Sequence, residues 1–169
     1  MRTILVLDEK NYTNDTPVFE RFGVRAIIRK NGLIAVQQSA AGEYKLPGGG
    51  MDKGEAIVEA LAREVREETG LIIKPETMQE LGEILEVRKD IFDGNTKYIA
   101  HSLHYLCEVE DEMVETAMTD SEIKRGFHLA WADIDTIIKT NEALMTEKWQ
   151  YRDVEFLKWL KEQDVWKSL

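Results

Sequence analysis

The sequence predicts an α+β fold, an α/β/α sandwich built on a mixed sheet, and three observations carry this prediction. Its 169 residues, of which 43% are hydrophobic, suit one domain with a substantial core. Strand-like runs come first, a helix follows them, a strand pair comes next, and a helical segment closes the sequence. No internal repeat, low-complexity tract or linker interrupts this order. We therefore expect 1–169 to form a single domain.

This domain has three predicted parts: an N-terminal extension over 1–17, a core over 18–135 and a C-terminal helix over 141–166. The extension begins with the apolar run Thr3 to Leu7, which predicts a short strand. The polar residues Asn11 to Pro17 predict a loop that leads into the core.

The core opens with a predicted hairpin. Its first strand is the apolar run Phe22 to Ile28. Asn31-Gly32 follows, and because both residues tolerate positive φ, this pair predicts a tight turn. The return strand runs from Leu33 to Gln38. We expect the two strands to pair side by side.

The remaining elements follow a glycine-rich loop that ends at Leu46-Pro47-Gly48-Gly49-Gly50. Helical spacing runs from about Gly54 to Thr69, and Gly70 is the predicted C-cap. The later predicted elements are a strand over 82–87, a turn at Asp93-Gly94-Asn95, a strand over 97–109, a loop over 110–124, a strand over 127–131 and the helix over 141–166.

The formal net charge of −10 narrows the classes of partner. It argues against docking on large nucleic acids or an anionic membrane, because a basic face supplies most of that attraction. It allows a small anionic substrate if a divalent cation mediates the contact. A single cysteine, Cys107, fits a reducing cytoplasm, and we expect it to be a small core residue. The apolar run near the N-terminus is too short for a signal-peptide core, and no stretch approaches a membrane helix.

The predicted helix places carboxylates beside its apolar stripe. Ile57, Leu61 and Val65 recur every four residues and form that stripe. At ~100° per residue, Glu64 and Glu68 share its angular position, and Glu67 lies on its flank. The predicted polar face consists of Glu55, Glu59, Arg66 and Thr69.

This arrangement needs compensating positive charge. The three carboxylates repel one another, and the helix dipole disfavours anions near a C-terminus. Arg63 can reach Glu59 or Glu67, but one guanidinium cannot neutralise three anions. A divalent cation such as Mg²⁺ can, since it takes carboxylate oxygens and keeps room for water and phosphate. The alternative is a solvated charged face, which is the commoner explanation of such a helix.

The preceding loop supports a ligand site. Gly48, Gly49 and Gly50 let backbone groups approach a ligand without a Cβ in the way, although an ordinary flexible turn is the alternative. A phosphate-binding P-loop is excluded, because that motif needs Gly-Lys-Ser or Gly-Lys-Thr and the sequence has Lys53-Gly54-Glu55.

The stretch from Gly49 to Leu71 resembles the Nudix box, G-x5-E-x7-R-E-U-x-E-E-x-G-U with U aliphatic. Every position matches: Gly49, Glu55, Arg63, Glu64, Val65, Glu67, Glu68, Gly70 and Leu71. Seven fixed identities, each at about 6% usage, make a chance match rare. The strand Val24 to Ile28 and Leu46-Pro47-Gly48 also resemble the lead-in to this box.

The resemblance implies a Nudix-like mixed sheet that carries a loop–helix–loop catalytic box. It implies hydrolysis of a nucleoside diphosphate linked to another group, with Mg²⁺ as cofactor and Mn²⁺ as a substitute. The cation would neutralise the pyrophosphate and lower the pKa of the attacking water. Subfamily signatures are mostly missing beyond the box, so a small nucleoside triphosphate, with oxidised ones included, is the leading substrate. An ADP-ribose or nucleotide-sugar pyrophosphatase and a non-catalytic nucleotide sensor are the alternatives.

The resemblance also assigns roles within the box. It implies that Glu67 and Glu68 are metal ligands and that Glu64 is a ligand or the general base. It implies that Arg63 orients this cluster, paired with Glu55 or Glu67. The carbonyl of Gly48 or Gly49 would complete the metal shell.

Outside the box the candidates are weaker. Many family members add an acidic residue from a later loop, and here Glu115, Asp120 and Glu122 qualify, with Glu122 favoured. Arg25 and Leu46 of the lead-in, together with Tyr44, are the substrate-binding candidates. The aromatic residues that could stack on a base are Tyr44, Phe92, Tyr98 and Trp131.

Two further questions stay open. His101 and His104 lie on opposite faces of their predicted strand, and a structural role is favoured for each. The Thr3–Leu7 strand and the C-terminal helix either cover the core or form a homodimer interface. The tryptophans of that helix, Trp149, Trp159 and Trp166, do not decide between these roles.

Overall fold

The computed structural model describes residues 1–13 and 15–168. Its strands are β1 (Thr3–Asp8), β2 (Val18–Ile27), β3 (Arg29–Lys30), β4 (Leu33–Gln38), β5 (Tyr44–Lys45), β6 (Leu71–Ile73), β7 (Gln79–Lys89), β8 (Lys97–Leu106), β9 (Val109–Met113) and β10 (His128–Ala132). Its helices are α1 (Ile57–Thr69), α2 (Asp120–Arg125), α3 (Ile134–Ala143), α4 (Lys148–Glu162) and α5 (Asp164–Lys167), with one 3₁₀ turn at Pro75–Thr77.

The main sheet is mixed, as predicted. Its strand order is β1-β7-β8-β2, in which β7 and β8 are antiparallel and the two outer pairs are parallel. A second, antiparallel sheet has the order β10-β4-β3, with β5 paired to β4. A short antiparallel pair joins β6 to β9. The predicted turn is confirmed, because Asn31 and Gly32 have φ of 54° and 81° and join β3 to β4. The expected pairing of the first strand with the return strand is wrong, because β2 pairs with β8 in the main sheet and the return strand β4 pairs with the short β3 instead.

Helix α1 packs on one side of the sheets. Leu61 and Val65 of its apolar stripe are fully buried against a core that includes Val24 and Leu103. The helix begins at Ile57, later than predicted, and Glu59 accepts a hydrogen bond from the backbone N–H of Ala56 at 3.2 Å. It ends at the predicted C-cap, Gly70, whose φ is 74°.

Helices α3 and α4 pack on the other side. Phe156, Leu157 and Leu160 of α4 are buried in a second core that includes Ile27 and Ile84 of the main sheet. Strands β2 and β8 therefore send residues to both helical layers, with Val24 and Leu103 toward α1 and Ile27 and Leu106 toward α4. This arrangement confirms the predicted α/β/α sandwich.

The single C-terminal helix predicted over 141–166 is wrong. Three helices occupy this region, because the chain leaves helical geometry between Ala143 and Lys148. The side chain of Gln150 stabilises the break, since its Oε1 accepts hydrogen bonds from the N–H groups of Thr146 and Glu147 at 2.7 and 2.8 Å. Helical periodicity on both sides of a short break hides such a capping interaction.

The prediction of a loop over 110–124 is also wrong. The strand predicted over 97–109 ends at Leu106, and the acidic β9 then pairs with β6 through Leu71 and Met113. Because β9 is largely exposed, it lacks the apolar alternation that marks a half-buried strand. Thr119 begins α2 with a capping box in which it exchanges hydrogen bonds with Glu122. The strand predicted over 127–131 is shifted by one residue.

Smaller predictions have mixed outcomes. Cys107 is a buried core residue, and burial raises the pKa of its thiol to about 12. Thr69 is buried, contrary to its predicted place on the polar face, because its hydroxyl donates to the carbonyl oxygen of Val65. Within the predicted loop over 11–17, Asn14 lies outside the described residues. No helix among the described residues is long and apolar enough to cross a membrane.

Candidate active site

The glycine loop lies between β2 and α1 and is fixed to both. The backbone carbonyl of Gly49 accepts a hydrogen bond from the N–H of Val24 at 2.9 Å, and that of Pro47 accepts from Ala26 at 2.8 Å. A Cβ at Gly48, whose φ is 133°, would lie 2.1 Å from the carbonyl oxygen of Val24. A Cβ at Gly49 would lie 2.2 Å from Oε2 of Glu64. The loop therefore brings its backbone against a carboxylate of α1 in a way that only glycine permits.

Arg63 connects most of the carboxylates of the box. It donates to both carboxylate oxygens of Glu55 at 2.8 and 2.9 Å, to Oε1 of Glu64 at 2.8 Å and to Oε2 of Glu67 at 3.4 Å. It also donates to the carbonyl oxygen of Gly50 at 3.1 Å. The hydrogen bonds from Arg63 lower the pKa of Glu55 to about 2. A single guanidinium thus orients three acidic side chains and ties them to the glycine loop.

Glu68 is the buried member of the cluster. Its Oε2 accepts a hydrogen bond from the N–H of Gly48 at 2.7 Å, and its Oε1 forms an ion pair with Lys45. Burial raises the pKa of Glu68 to about 7, although Lys45 and the N–H of Gly48 oppose this shift. Lys45 and the N–H of Gly48 therefore compensate a carboxylate whose burial is costly.

Glu122 reaches the same region from α2. The Nζ of Lys45 lies 3.1 Å from its Oε1, so one ammonium group bridges Glu68 and Glu122. Partial burial raises the pKa of Glu122, but hydrogen bonds from Thr119 and the charge of Lys45 outweigh this effect and lower it to about 2. The other two acidic candidates, Glu115 and Asp120, are exposed.

The donor set suits a hard divalent cation. Carboxylates of Glu64, Glu67 and Glu68 lie along one side of α1, with side-chain exposures of 15%, 34% and 4%. Among the described residues, no group of three or more His, Cys, Asp or Glu side chains is arranged to hold a metal ion, since these carboxylates are turned toward Arg63 and Lys45. All the donors are oxygens, as Mg²⁺ and Mn²⁺ prefer. The carbonyl of Gly49, one of the two expected from the loop, instead accepts hydrogen bonds from the N–H of Val24 at 2.9 Å and from Arg25 at 3.1 Å, so it faces β2.

A cavity of about 570 Å³ adjoins the glycine loop and is rich in basic side chains. Alternate residues of β2 line it, because a strand sends every second side chain to one face: Arg21, Gly23 and Arg25. The mixed sheet aligns Arg21 with Ala100 and Gly23 with Ser102 on β8. The cationic residues of the lining are Arg21, Arg25, Lys45, Arg88, Lys148 and Arg152. An acidic chain thus encloses a basic cavity next to its carboxylate cluster.

The model of the NUDIX domain family matches residues 20–160. This chain belongs to the Nudix family. The matched range thus includes the carboxylate cluster, the glycine loop and the whole cavity lining. Its members hydrolyse pyrophosphate bonds in small nucleotide substrates and generally use divalent metal ions. The chain therefore belongs to a family whose members are hydrolases that act on pyrophosphate bonds.

Sequence matches to individual proteins are consistent with this family assignment. The human 8-oxo-dGDP phosphatase NUDT18 is 52% identical over 42 residues, which cover 25% of this chain and 13% of the human protein. Nudix hydrolase 6 of Arabidopsis thaliana is 33% identical over 115 residues, which cover 61% of this chain and 36% of the plant protein. These matches thus span little more than a third of either curated relative at most.

The fold of this chain also resembles that of a solved structure. A NUDIX hydrolase from Nitrosomonas europaea superposes with a TM-score of 0.59 over 81% of this chain and 87% of its own, at 20% sequence identity. At this identity, the likeness concerns the fold alone.

In this Nudix domain, only one of the three substrate-binding candidates reaches the cavity. Arg25 lines it. Leu46 is buried in the core beside α4, where its N–H donates to Oδ2 of Asp153 at 3.1 Å. Tyr44 packs against the same core, and its backbone pairs with the side chain of Asn141. The structure therefore places Leu46 and Tyr44 in packing roles.

The aromatic candidates for base stacking also lie in different surroundings. Tyr98 lines the cavity, where the guanidinium of Arg88 lies 4.3 Å from its ring centroid. Phe92 is 93% exposed, and Trp131 packs against the core under α1. Trp149, which was not among the aromatic candidates, lines the cavity from the start of α4. Its position gave no signal of this role, because a tryptophan on an amphipathic helix is usually a core residue.

The cations of the cavity, Arg25 apart, were also missed. Lys45, Arg88 and Arg152 come from β5, β7 and α4, so no local sequence pattern connects them. Only the alternation of side chains along β7 offered a clue, since Glu86 and Arg88 share a face. Their assembly depends on the tertiary fold.

Proposed function

We propose that this Nudix hydrolase cleaves a pyrophosphate bond of a small nucleoside triphosphate, with Mg²⁺ as its cofactor and Mn²⁺ as a substitute. The observation that carries this proposal is the position of the glycine loop. Gly48 and Gly49 contact the carboxylates of α1, and the same residues line the basic cavity. A polyphosphate in the cavity would therefore meet the carboxylate cluster at this loop.

Each carboxylate has a proposed part in the reaction. Glu67 and Glu68 would hold the metal ion. The carbonyl of Gly48 would complete its shell, since that of Gly49 already accepts hydrogen bonds from β2. When bound, Mg²⁺ would neutralise the pyrophosphate and lower the pKa of the attacking water. Glu64 would accept the proton of that water.

Arg63 and Glu55 would position this machinery. The 2.8 Å hydrogen bond from Arg63 fixes Oε1 of Glu64, and the two hydrogen bonds to Glu55 fix the plane of the guanidinium. Glu122 would act from outside the box through Lys45, which already bridges it to Glu68. A carboxylate held in this way needs little reorganisation before proton transfer.

The cavity supports a nucleotide as the substrate. Its volume of about 570 Å³ lies within the roughly 300–1,000 Å³ of typical small-molecule sites. Arg25 at the glycine loop would contact a phosphate, and Trp149 offers an aromatic ring for a base. The net charge of −10 then argues against large nucleic acids as substrates.

A substrate screen tests this proposal. Purified protein is incubated with nucleoside triphosphates, nucleoside diphosphates, ADP-ribose and nucleotide sugars, and the products are identified by mass. We expect release of phosphate or pyrophosphate from at least one triphosphate with Mg²⁺ or Mn²⁺ and none with EDTA. Tight nucleotide binding without product would instead favour the sensor alternative.

Oxidised nucleotides belong in the same screen. The human relative is named an 8-oxo-dGDP phosphatase, and its 42 matched residues are 52% identical to this chain. We therefore compare 8-oxo-dGDP and 8-oxo-dGTP with their unoxidised forms at equal concentration. A kcat/KM that favours the oxidised form would assign this chain a role in nucleotide clearance, and equal values would argue against it.

A further inference from the structure

We propose that Arg88 forms a second anion subsite, which binds a phosphoryl group of the substrate other than those of the pyrophosphate that is cleaved. The substrate class is then a nucleotide that carries a phosphomonoester in addition to its pyrophosphate. This inference rests on the proposed function, since it assumes that the pyrophosphate lies at the glycine loop.

The first observation is that Arg88 is buried without a carboxylate partner. Its relative exposure is 8%, its Nε has no hydrogen-bond partner in the described structure, and its Nη1 donates to the carbonyl oxygen of Lys89 at 3.0 Å. Within residues 1–13 and 15–168, no carboxylate oxygen lies within 4 Å of its guanidinium nitrogens. Glu86 and Asp90 interact with its charge at longer range, but neither forms an ion pair with it. The unpartnered Nε–H of a buried guanidinium is costly, and an anion from outside the chain would satisfy it.

A neighbouring arginine shows the contrast. Arg152 lines the same cavity and is equally buried, but it donates to Oδ1 of Asp153 at 2.6 and 2.9 Å. Glu86, which lies two residues before Arg88 on the same face of β7, is 3.8 Å from Arg152. Asp153 therefore pairs directly with Arg152, whereas Arg88 has only longer-range interactions with Glu86 and Asp90, so its Nε–H stays available for a ligand.

The second observation is that Arg88 is held in one orientation. Its guanidinium stacks on the ring of Tyr98, 4.3 Å from the centroid, and the two residues are paired across β7 and β8. Stacking fixes the plane of the guanidinium and leaves its edge free to donate to a phosphate. The orphaned Nε–H belongs to this edge.

The third observation is the position of Arg88 along the cavity. The sheet pairs Arg88 with Tyr98 and pairs Arg25, next to the glycine loop, with His104. Their backbones lie on either side of β8, but their guanidinium groups converge, because both interact with the charge of Glu86. Arg25 and Arg88 thus face the same cavity from two strands, and both have an orphaned Nε. A substrate with two separate anionic groups matches this arrangement.

Binding without metal separates this inference from the proposed function. A nucleoside 3′,5′-bisphosphate and the matching 5′-monophosphate are titrated by calorimetry in EDTA, because neither contains an anhydride that could be cleaved. We expect the bisphosphate to bind wild type at least about tenfold more tightly, a difference of ~1.4 kcal/mol. Arg88→Met should remove this preference, and Arg66→Met, a matched change on the exposed face of α1, should keep it.

The stability of Arg88→Met provides an independent readout. Because the substitution removes a buried guanidinium that forms no ion pair and has an unpartnered Nε, we expect its melting temperature without ligand to equal or exceed that of wild type. If Arg88→Met does not fold, Arg88→Lys replaces it and should show an intermediate preference, since lysine keeps the charge but loses the planar geometry.

Equal binding of the two nucleotides by wild type, or a preference that survives in the variant, would overturn the proposal. Inorganic phosphate alone is titrated in the same way. If it bound wild type as tightly as the bisphosphate and lost this affinity in Arg88→Met, the subsite could not be assigned to the substrate.

Discussion

The glycine loop separates two regions of opposite charge. The residues of one region come from a single segment of the sequence, and those of the other come from several distant elements. On one side, a single helix and the residues just before it supply Glu55, Glu64, Glu67 and Glu68. On the other side, three strands and α4 supply the basic lining of the cavity. The carboxylate cluster is therefore contiguous in sequence, and the basic cavity exists only in the folded chain.

This difference teaches how a net charge should be interpreted. A charge of −10 describes the whole chain, but the cavity lining has six lysines and arginines against Glu86 and Glu147. Charges on a folded surface act locally, because salt screens those farther apart than about 10 Å. An acidic protein can therefore present a basic site to an anionic substrate.

The largest expected effect is on the acidic side. Glu68→Gln removes the charge of the buried carboxylate, and we expect turnover to fall roughly 10²- to 10³-fold, the range for losing one group that stabilises transition-state charge. Steady-state kinetics on the substrate found by the screen measures this loss. Glu59→Gln, on the exposed face of α1, is the matched control and should retain turnover. An unchanged kcat/KM in Glu68→Gln would contradict the assigned role.

The next effect concerns the loop that separates the two regions. In Gly49→Ala, the new Cβ meets the flexible end of Glu64, so we expect a marked loss of activity with little change in stability. In Gly48→Ala, the new Cβ meets the carbonyl oxygen of Val24 at a φ of 133°, so we expect destabilisation of roughly 1–3 kcal/mol.

Thermal unfolding and kinetics together distinguish these two glycines. Gly94→Ala is the control, because a Cβ there meets nothing within 4 Å. If Gly49→Ala kept full activity, the contact between the loop and Glu64 would have no part in catalysis. If Gly48→Ala were as stable as wild type, the close approach of the loop to β2 would not constrain the fold.

The smallest expected effect is a pH dependence of stability at the rim of the basic cavity. His101 contacts Glu83 and Glu20, the latter at 2.8 Å, and its ring stacks on Phe22. Partial burial lowers the pKa of His101, but the hydrogen bonds with Glu83 and Glu20 outweigh this effect and raise it above 6.5.

The sign of this dependence follows from the raised pKa. The stabilising contribution is fully present below the unfolded-state pKa of about 6.5 and is lost as the pH rises through the folded-state value. Denaturant unfolding of wild type and His101→Gln between pH 6 and 9 measures it. We expect the difference in unfolding free energy between them to shrink as the pH rises, and a difference that is constant or grows would contradict this reasoning.

The sequence predicted the fold class and the composition of the acidic side. The apolar stripe of α1, its C-cap at Gly70 and the Asn31-Gly32 turn follow from local rules, so these predictions were confirmed. The break at Gln150 escaped detection because it depends on one side chain that caps a helix within an otherwise helical pattern.

The basic side could not be predicted for a related reason. Arg88 and Arg152 lie more than sixty positions apart in the printed sequence and meet only because β7 and α4 face the same cavity. Tyr44 and Leu46 were expected there, but their side chains pack under α4. Sequence motifs thus describe chemistry carried by one element better than chemistry shared among several.

Titration of wild type with Mn²⁺ tests the central claim most directly, because it asks whether the carboxylate cluster binds a divalent cation. Calorimetry is performed with and without a non-hydrolysable nucleoside triphosphate, and Glu68→Gln is titrated in parallel. We expect saturable binding in wild type that the nucleotide strengthens, and much weaker binding in Glu68→Gln. An absence of saturable Mn²⁺ binding in wild type, with and without nucleotide, would contradict the claim and leave the carboxylates as a merely solvated, arginine-paired face of α1.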